Sequence, residues 1–153
     1  ELARRGCYID ITSGIREQDG FTNCINPSEA IRICMEEGVP MEQITMSSDG
    51  NGSMSVPLPD GGAKLLVTRL SSLHEEVRDA VKAGVPVEKA IRICGENPAR
   101  ANGLFPKKGC IRPGSDADLV ILDEEFLVDT VFARGQKMVE YGKALVKGTF
   151  ETD

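Results

Sequence analysis

Residues 43–53 read QITMSSDGNGS, and the predicted fold depends on this stretch. The alternating apolar side chains at its start are typical of a β-strand. The strand leads into an acidic residue, Asp49, and a glycine-rich loop follows at once. In α/β barrels the catalytic groups lie at the carboxyl ends of the strands, where the loops begin. Asp49 is therefore the first candidate for a catalytic residue.

The residues before this stretch complete a strand–helix–strand unit. Residues 7–12, CYIDIT, alternate as a strand does. Residues 28–37 have helical spacing, with Asn26 placed to cap the helix, Pro27 at its first position and Gly38 at its end. This order predicts a βαβ unit with parallel strands.

An apolar stripe runs along the predicted helix and indicates that it packs against another element. The stripe has Ala30, Ile33 and Cys34 on one face, with Ile31 and Met35 beside them. The tetrapeptide IRIC of residues 31–34 recurs at residues 91–94. The GVP motifs that follow and precede these helices are spaced differently, so we infer two similar helices and no repeat architecture.

The rest of the chain divides into a helical portion and a β-rich portion. Residues 54–64 are rich in Pro and Gly and predict a long loop that closes over a site. Helical patterns cover residues 65–83 and 86–95, and a shorter one begins at Asn97. From Gly109 onward, short β-rich runs separated by glycines predict a small antiparallel β module.

Composition limits the class of protein. A chain of 153 residues with 41% hydrophobic and 27% charged residues is typical of a globular domain, and no apolar run approaches a membrane span. The net charge of −6 argues against nucleic acid as a partner. Five cysteines without a CxxC pair predict reduced thiols and a cytoplasmic protein. The opening ELARRG is typical of the last turn of a helix, so we expect a piece of a longer chain.

Two motifs in the β-rich portion resemble the C-terminal signature of the amidohydrolase superfamily. They are GCIRPGSDADLVIL at residues 109–122 and VFARGQKMV at residues 131–139. Within that superfamily, SSDGNGS at residues 47–53 and VKGTFE at residues 146–151 are most similar to isoaspartyl (β-aspartyl) dipeptidases. The resemblance covers essentially the whole chain.

The resemblance implies an α/β fold in which this chain supplies the last part of the enzyme. Residues 1–108 would form the last strands and helices of a (β/α)8 barrel, and residues 109–153 part of a small β-sandwich. Residues 7–12 and 43–48 would be the seventh and eighth barrel strands. A homo-oligomer is also expected.

The resemblance further implies a two-zinc site and an isoaspartyl dipeptide substrate. Asp49 would be a zinc ligand and would shuttle the proton between the attacking water and the departing amine. Ser53, four residues later, would bind the substrate. The other metal ligands of the family lie on earlier strands, and this chain has one histidine, His74. A catalytic zinc needs at least three protein ligands, so we expect the isolated chain to be inactive.

Plainer interpretations exist for each of these residues. Asp-Gly and Asn-Gly are common in tight turns, so the Asp49 loop could be a simple connection. His74 lies in a helical pattern and is more typical of a surface or packing histidine. Asp10 lies within the seventh barrel strand of the resemblance, where a carboxylate can reach the pocket, but a structural part or an outward face is the plainer interpretation. For Asp116 and Asp118, the plainer interpretation is a capped turn before the next strand.

Three other functions remain open on the sequence. A different amidohydrolase, such as a dihydroorotase-like ring hydrolase or a deacetylase, would share Asp49 and the C-terminal signature. A non-catalytic member of the superfamily would keep the barrel for assembly. A stand-alone domain of this length would expose strand edges and would need partner chains.

Overall fold

The computed structural model describes residues 1–58 and 60–148. Residues 1–6 include a short 3-10 turn, Ala3–Arg5, which ends at Gly6 in the left-handed region at φ +88°. Residues 149–151 of the VKGTFE motif lie outside the described residues. Within the described ranges, no helix combines the length and the apolar character needed to cross a membrane.

The predicted βαβ unit is confirmed. Strands β1 (Ile9–Thr12) and β2 (Ile44–Ser47) pair in parallel, and helix α1 (Pro27–Glu36) connects them. Pro27 occupies the first turn of α1, as predicted, because its missing N–H costs nothing there. Asn26 precedes the helix, but its side chain makes no capping hydrogen bond.

The core lies on one face of the β1–β2 pair, where the helices α1, α2 (Ser72–Lys82) and α3 (Val87–Cys94) pack. Its buried members are Ile31, Ile44, Met46, Val77, Ala80, Val85, Ala90 and Ile93. A fourth helix, α4 (Glu96–Ala101), follows α3, and its buried Asn97 side chain donates to the carbonyls of Met41 and Ile44 at 2.8 and 2.7 Å. These bonds attach α4 to the start of β2.

The prediction of a long loop at residues 54–64 is wrong. Strands β3 (Ser53–Pro57) and β4 (Ala63–Val67) form an antiparallel hairpin in this region. The glycines that suggested a loop form the hairpin turn, where Leu58 N–H donates to Gly62 at 2.9 Å. The helix predicted from residue 65 therefore begins only at Ser72, because residues 63–67 pair with β3 instead.

The predicted antiparallel β module is confirmed as one four-stranded sheet. Its strands lie in the order β5 (Leu119–Leu122), β6 (Val128–Ala133), β7 (Gln136–Glu140) and β8 (Lys143–Ala144). Every neighbouring pair is antiparallel. A short turn joins β6 to β7, and its two residues, Arg134 and Gly135, have backbone angles in the left-handed region.

Candidate functional site

The carboxyl ends of β1 and β2 form one edge, because the two strands are parallel. The pairing continues one step beyond β1, where Ser13 N–H donates to Ser47 at 2.8 Å. Ser48 is buried directly after β2, and Asp49, which follows it, is exposed. The structure thus places Asp49 at the end of a parallel strand, as the sequence predicted.

A tight turn holds Asp49. Its backbone is left-handed at φ +48°, as is that of Asn51 at φ +64°, which is uncommon for residues other than glycine. Gly52 N–H donates to the Asp49 carbonyl at 2.9 Å and closes the turn. A Cβ at Gly52 would lie 2.7 Å from that carbonyl oxygen and 3.2 Å from Asp49 Oδ2, so the turn requires glycine at this position.

The carboxylate of Asp49 has no hydrogen bond or ion pair within residues 1–58 and 60–148. Its backbone, by contrast, is held at the carbonyl by Gly52 and by the Thr68 hydroxyl. A fixed backbone with an uncommitted, exposed carboxylate is an arrangement suited to accepting a proton or binding a cation.

Ser53 is exposed and begins β3, opposite Val67 of β4. Asp49 and Ser53 therefore belong to the same turn and hairpin. Because side chains alternate along a strand, Ser53 faces away from its neighbour Met54. Met54 and Val67, the partner of Ser53 across the hairpin, both line a cavity next to this hairpin.

The cavity has a volume of about 290 Å³ and lies between the residues after β1, the β3–β4 hairpin and the start of α2. Residues from all three segments line it, among them Ser13, Arg16, Met54, Leu66, Thr68 and Ser72. Thr68, which lines this cavity, also contacts the backbone of the Asp49 turn.

A buried carboxylate binds the residues that follow β1, next to this cavity. Glu76 on α2 is fully buried and accepts hydrogen bonds from Arg16 Nε at 2.8 Å and from Ser28 N–H at 3.2 Å. Arg16 also donates to Asp79 at 2.9 Å. The hydrogen bond to Glu76 is the main cause that raises the pKa of Arg16 above its usual value.

Sequence reasoning missed Glu76, although the sequence contained a signal for it. Glu76 lies three residues after Leu73 and four before Ala80, on the apolar face of α2. A carboxylate on the buried face of a helix needs polar partners, and these are the groups that follow β1 and begin α1.

The other polar candidates have structural partners. His74 Nε2 donates to the Phe126 carbonyl at 2.7 Å, which makes it a packing histidine between α2 and the β module. Asp10 accepts a hydrogen bond from Thr45 of the neighbouring strand at 2.7 Å. Asp116 and Asp118 both pair with Lys108, which also lowers the pKa of Asp118, rather than simply capping a turn.

A metal centre would need ligands in addition to Asp49. The described portion of the chain contains no group of three or more His, Cys, Asp or Glu side chains arranged to hold a metal ion. Asp49 offers one carboxylate, whereas a catalytic zinc takes at least three protein ligands. The described residues alone therefore do not fit a complete zinc site.

Comparisons with known proteins agree with this architecture. The sequence profile of the amidohydrolase family matches residues 21–143. A D-hydantoinase of Streptomyces coelicolor is 44% identical over 55 residues, which are 36% of this chain and 11% of the relative. An adenine deaminase of Clostridium perfringens is 36% identical over 81 residues, covering 52% of this chain and 14% of the relative.

Among solved structures, a β-aspartyl dipeptidase of Fervidobacterium islandicum AW-1, in complex with a β-Asp-Leu dipeptide, superposes with a TM-score of 0.78 at 30% identity. The match covers 98% of this chain and 37% of that one. An N-acetylglucosamine-6-phosphate deacetylase of Pasteurella multocida has a TM-score of 0.62 at 20% identity and shares the fold. This chain thus spans little more than a third of the length of these solved relatives.

Proposed function

Because the chain belongs to the amidohydrolase family, we propose that it is part of a zinc-dependent hydrolase that cleaves the β-linked peptide bond of isoaspartyl dipeptides. The observation that carries this proposal is the likeness to a β-aspartyl dipeptidase over 98% of the chain. The position of Asp49 at the end of a parallel strand supports it, since this is where barrel enzymes carry catalytic groups.

We further propose that residues 1–108 are the C-terminal portion of a (β/α)8 barrel and that residues 109–153 belong to a β-sandwich. In this assignment β1 and β2 are neighbouring barrel strands. The polar Asp10 and Thr45 side chains are bonded to each other on one face, and the helices cover the apolar side chains of the other. A barrel strand has this division between its interior and its helical layer.

Asp49 has the main chemical role in this proposal. It would contribute one ligand to a two-zinc site, with the other ligands supplied by earlier barrel strands of a longer chain, and the zinc ions would polarise the scissile carbonyl. Its carboxylate takes the proton of the attacking water as the water oxygen bonds to the scissile carbonyl carbon. When the carbon–nitrogen bond breaks, the same proton passes to the departing amine. The hydroxyl of Ser53, at the start of β3, would form a hydrogen bond with the backbone groups of the dipeptide.

A second candidate is an amidohydrolase that acts on a cyclic amide. The observation behind it is a D-hydantoinase that is 44% identical over 36% of this chain, whereas the β-aspartyl dipeptidase is 30% identical over 98% of it. The two candidates share Asp49 and differ in the substrate that the site accepts.

The deciding experiment is hydrolysis of β-Asp-Leu by the longest natural chain that contains residues 1–153, supplied with zinc. The α-linked dipeptide Asp-Leu serves as the substrate control. We expect selective cleavage of the β-linked dipeptide, and an Asp49→Asn variant should lose about 1000-fold or more in kcat because the proton acceptor is gone.

A matched control is Asp60→Asn, which changes an exposed aspartate in the turn of the same hairpin. Its kcat should stay within about twofold of the unmodified enzyme, as is usual for surface changes away from a site. Hydrolysis of a hydantoin but not of β-Asp-Leu would favour the cyclic-amide candidate. Equal activity of the Asp49→Asn variant would contradict the assigned role.

A further inference from the structure

We propose that Thr68 is a positioning residue that clamps the Asp49–Gly52 turn and so directs the Asp49 carboxylate. The catalytic consequence of this inference rests on the proposed function, whereas the clamp itself does not. Thr68 follows β4 and lies 19 residues from Asp49 in the sequence. It is buried, with 8% of its surface exposed.

Every polar group of Thr68 bonds to the turn. Its hydroxyl contacts the Asp49 carbonyl at close range and also the Gly52 carbonyl at 3.2 Å. Its N–H donates to the Gly52 carbonyl at 3.0 Å, and its own carbonyl accepts from Asn51 N–H at 3.1 Å. One residue thus holds both ends and the middle of the turn.

Of these contacts, the one between the Thr68 hydroxyl and the Asp49 carbonyl has the largest effect on the direction of the Asp49 carboxylate. The peptide plane that carries this oxygen is fixed relative to the Cα of Asp49, which stands in the left-handed region. The Cα–Cβ bond, and with it the carboxylate, takes its direction from that backbone conformation. Without the hydroxyl, the Asp49 carbonyl would keep only the hydrogen bond from Gly52 N–H, and the turn would have more freedom to relax towards ordinary backbone angles and to move the carboxylate.

The clamp is anchored to the other strand of the parallel pair. Ser72 Oγ donates to the Arg69 carbonyl at 2.7 Å, next to Thr68. Ser72 Oγ also lies 2.7 Å from Ser13 Oγ, and Ser13 N–H donates to Ser47. Residues 68–72 therefore contact both the Asp49 turn after β2 and Ser13 after β1. These contacts would keep the Asp49 carboxylate at a fixed distance from the groups at the end of β1.

The test replaces only the hydroxyl. Thr68→Val keeps the shape and the backbone bonds, and Thr68→Ser restores a hydroxyl without the methyl group. Thr130→Val is the matched control, because Thr130 is also 8% exposed but lies on β6, where its hydroxyl contacts Asp129. All variants are made in the longest natural chain that contains these residues, with zinc supplied.

Two readouts separate the clamp from its catalytic effect. In Thr68→Val we expect kcat for β-Asp-Leu to fall about 10-fold with KM within about twofold, since the carboxylate is misdirected while the substrate contacts remain. Amide exchange in a peptide that covers residues 47–54 should become about 10-fold faster. Thr68→Ser should return both quantities close to the unmodified values, and Thr130→Val should change neither.

The outcomes distinguish this inference from the proposed function. If the unmodified enzyme does not cleave β-Asp-Leu, the proposed function fails, and amide exchange alone then decides whether Thr68 holds the turn. Unchanged exchange over residues 47–54 in Thr68→Val would overturn the clamp. Faster exchange with unchanged kcat would overturn the positioning role, and so would a Thr68→Ser variant as slow as Thr68→Val.

Discussion

Glu76 illustrates how single residues organise the site region. Its fully buried carboxylate binds Arg16, which follows β1, and the Ser28 N–H at the beginning of α1. A buried charge is tolerated only when such partners surround it. Glu76 therefore holds the residues after β1 in place, and its proposed role is structural.

We predict that Glu76→Gln lowers the free energy of unfolding by about 3 kcal/mol, because it leaves the half-buried Arg16 guanidinium with one carboxylate fewer. Urea unfolding of the natural chain followed by circular dichroism measures the change. Asp79→Asn is the control, since that side chain is 34% exposed and its loss should cost less than about 1 kcal/mol. Equal costs for the two variants would contradict the special role of Glu76.

At the scale of the elements, α1 and α3 contain the same tetrapeptide, IRIC, yet bury opposite isoleucines. In α1 Ile31 is fully buried and Ile33 is 36% exposed. In α3 Ile91 is 49% exposed and Ile93 is fully buried. Residues two apart face opposite sides of a helix, so only one of each pair can reach the core. The apolar stripe predicted for α1 is therefore wrong for Ile33, which it placed on the packing face with Ala30 and Cys34.

We predict a crossed pattern of stability in these two helices. Ile31→Ala and Ile93→Ala should each cost about 3 kcal/mol, because each leaves a cavity in the core. Ile33→Ala and Ile91→Ala should each cost less than about 1 kcal/mol. The same unfolding measurement on the four variants checks the pattern, with each exposed isoleucine as the control for its buried neighbour. A large cost at Ile33 would show that α1 packs through its other face.

At the scale of the whole molecule, the helices and the β module meet across a groove of about 510 Å³ between α2, α3 and β5. His74 on α2 spans one part of this boundary by its hydrogen bond to the Phe126 carbonyl. Phe126 lies in the β5–β6 turn at φ +60°, and Asp123 accepts N–H bonds from Glu125 and Leu127 in that turn. The histidine therefore attaches a preformed turn to the helical layer.

We expect His74→Ala to loosen this attachment. Removing the donor leaves the Phe126 carbonyl without its side-chain partner and should cost about 1 kcal/mol, with faster amide exchange in residues 123–127. Mass spectrometry of exchanged peptides measures this effect. Lys82→Ala, an exposed change at the end of the same helix, should leave the exchange of that turn unchanged. Unaltered exchange in His74→Ala would show that other contacts hold the turn.

Local sequence determined those features that depend on near neighbours along the chain. The alternation at residues 43–46, Pro27 at the start of α1 and the glycines after residue 109 predicted the parallel unit, the helix and the antiparallel module. Asp49 could be proposed because it directly follows a strand. These features need only backbone geometry and side-chain periodicity over a few residues.

Tertiary structure alone decided which groups meet over long separations in the sequence. No local pattern shows that Thr68 bonds to the Asp49 turn or that Glu76 binds Arg16, because these pairs lie 19 and 60 residues apart. The hairpin of residues 53–67 likewise replaced a predicted loop and part of a predicted helix, since pairing with another strand outweighed local propensity. The identical IRIC segments give the clearest case: the helical period fixed that one isoleucine would be buried, and the surrounding packing fixed which one.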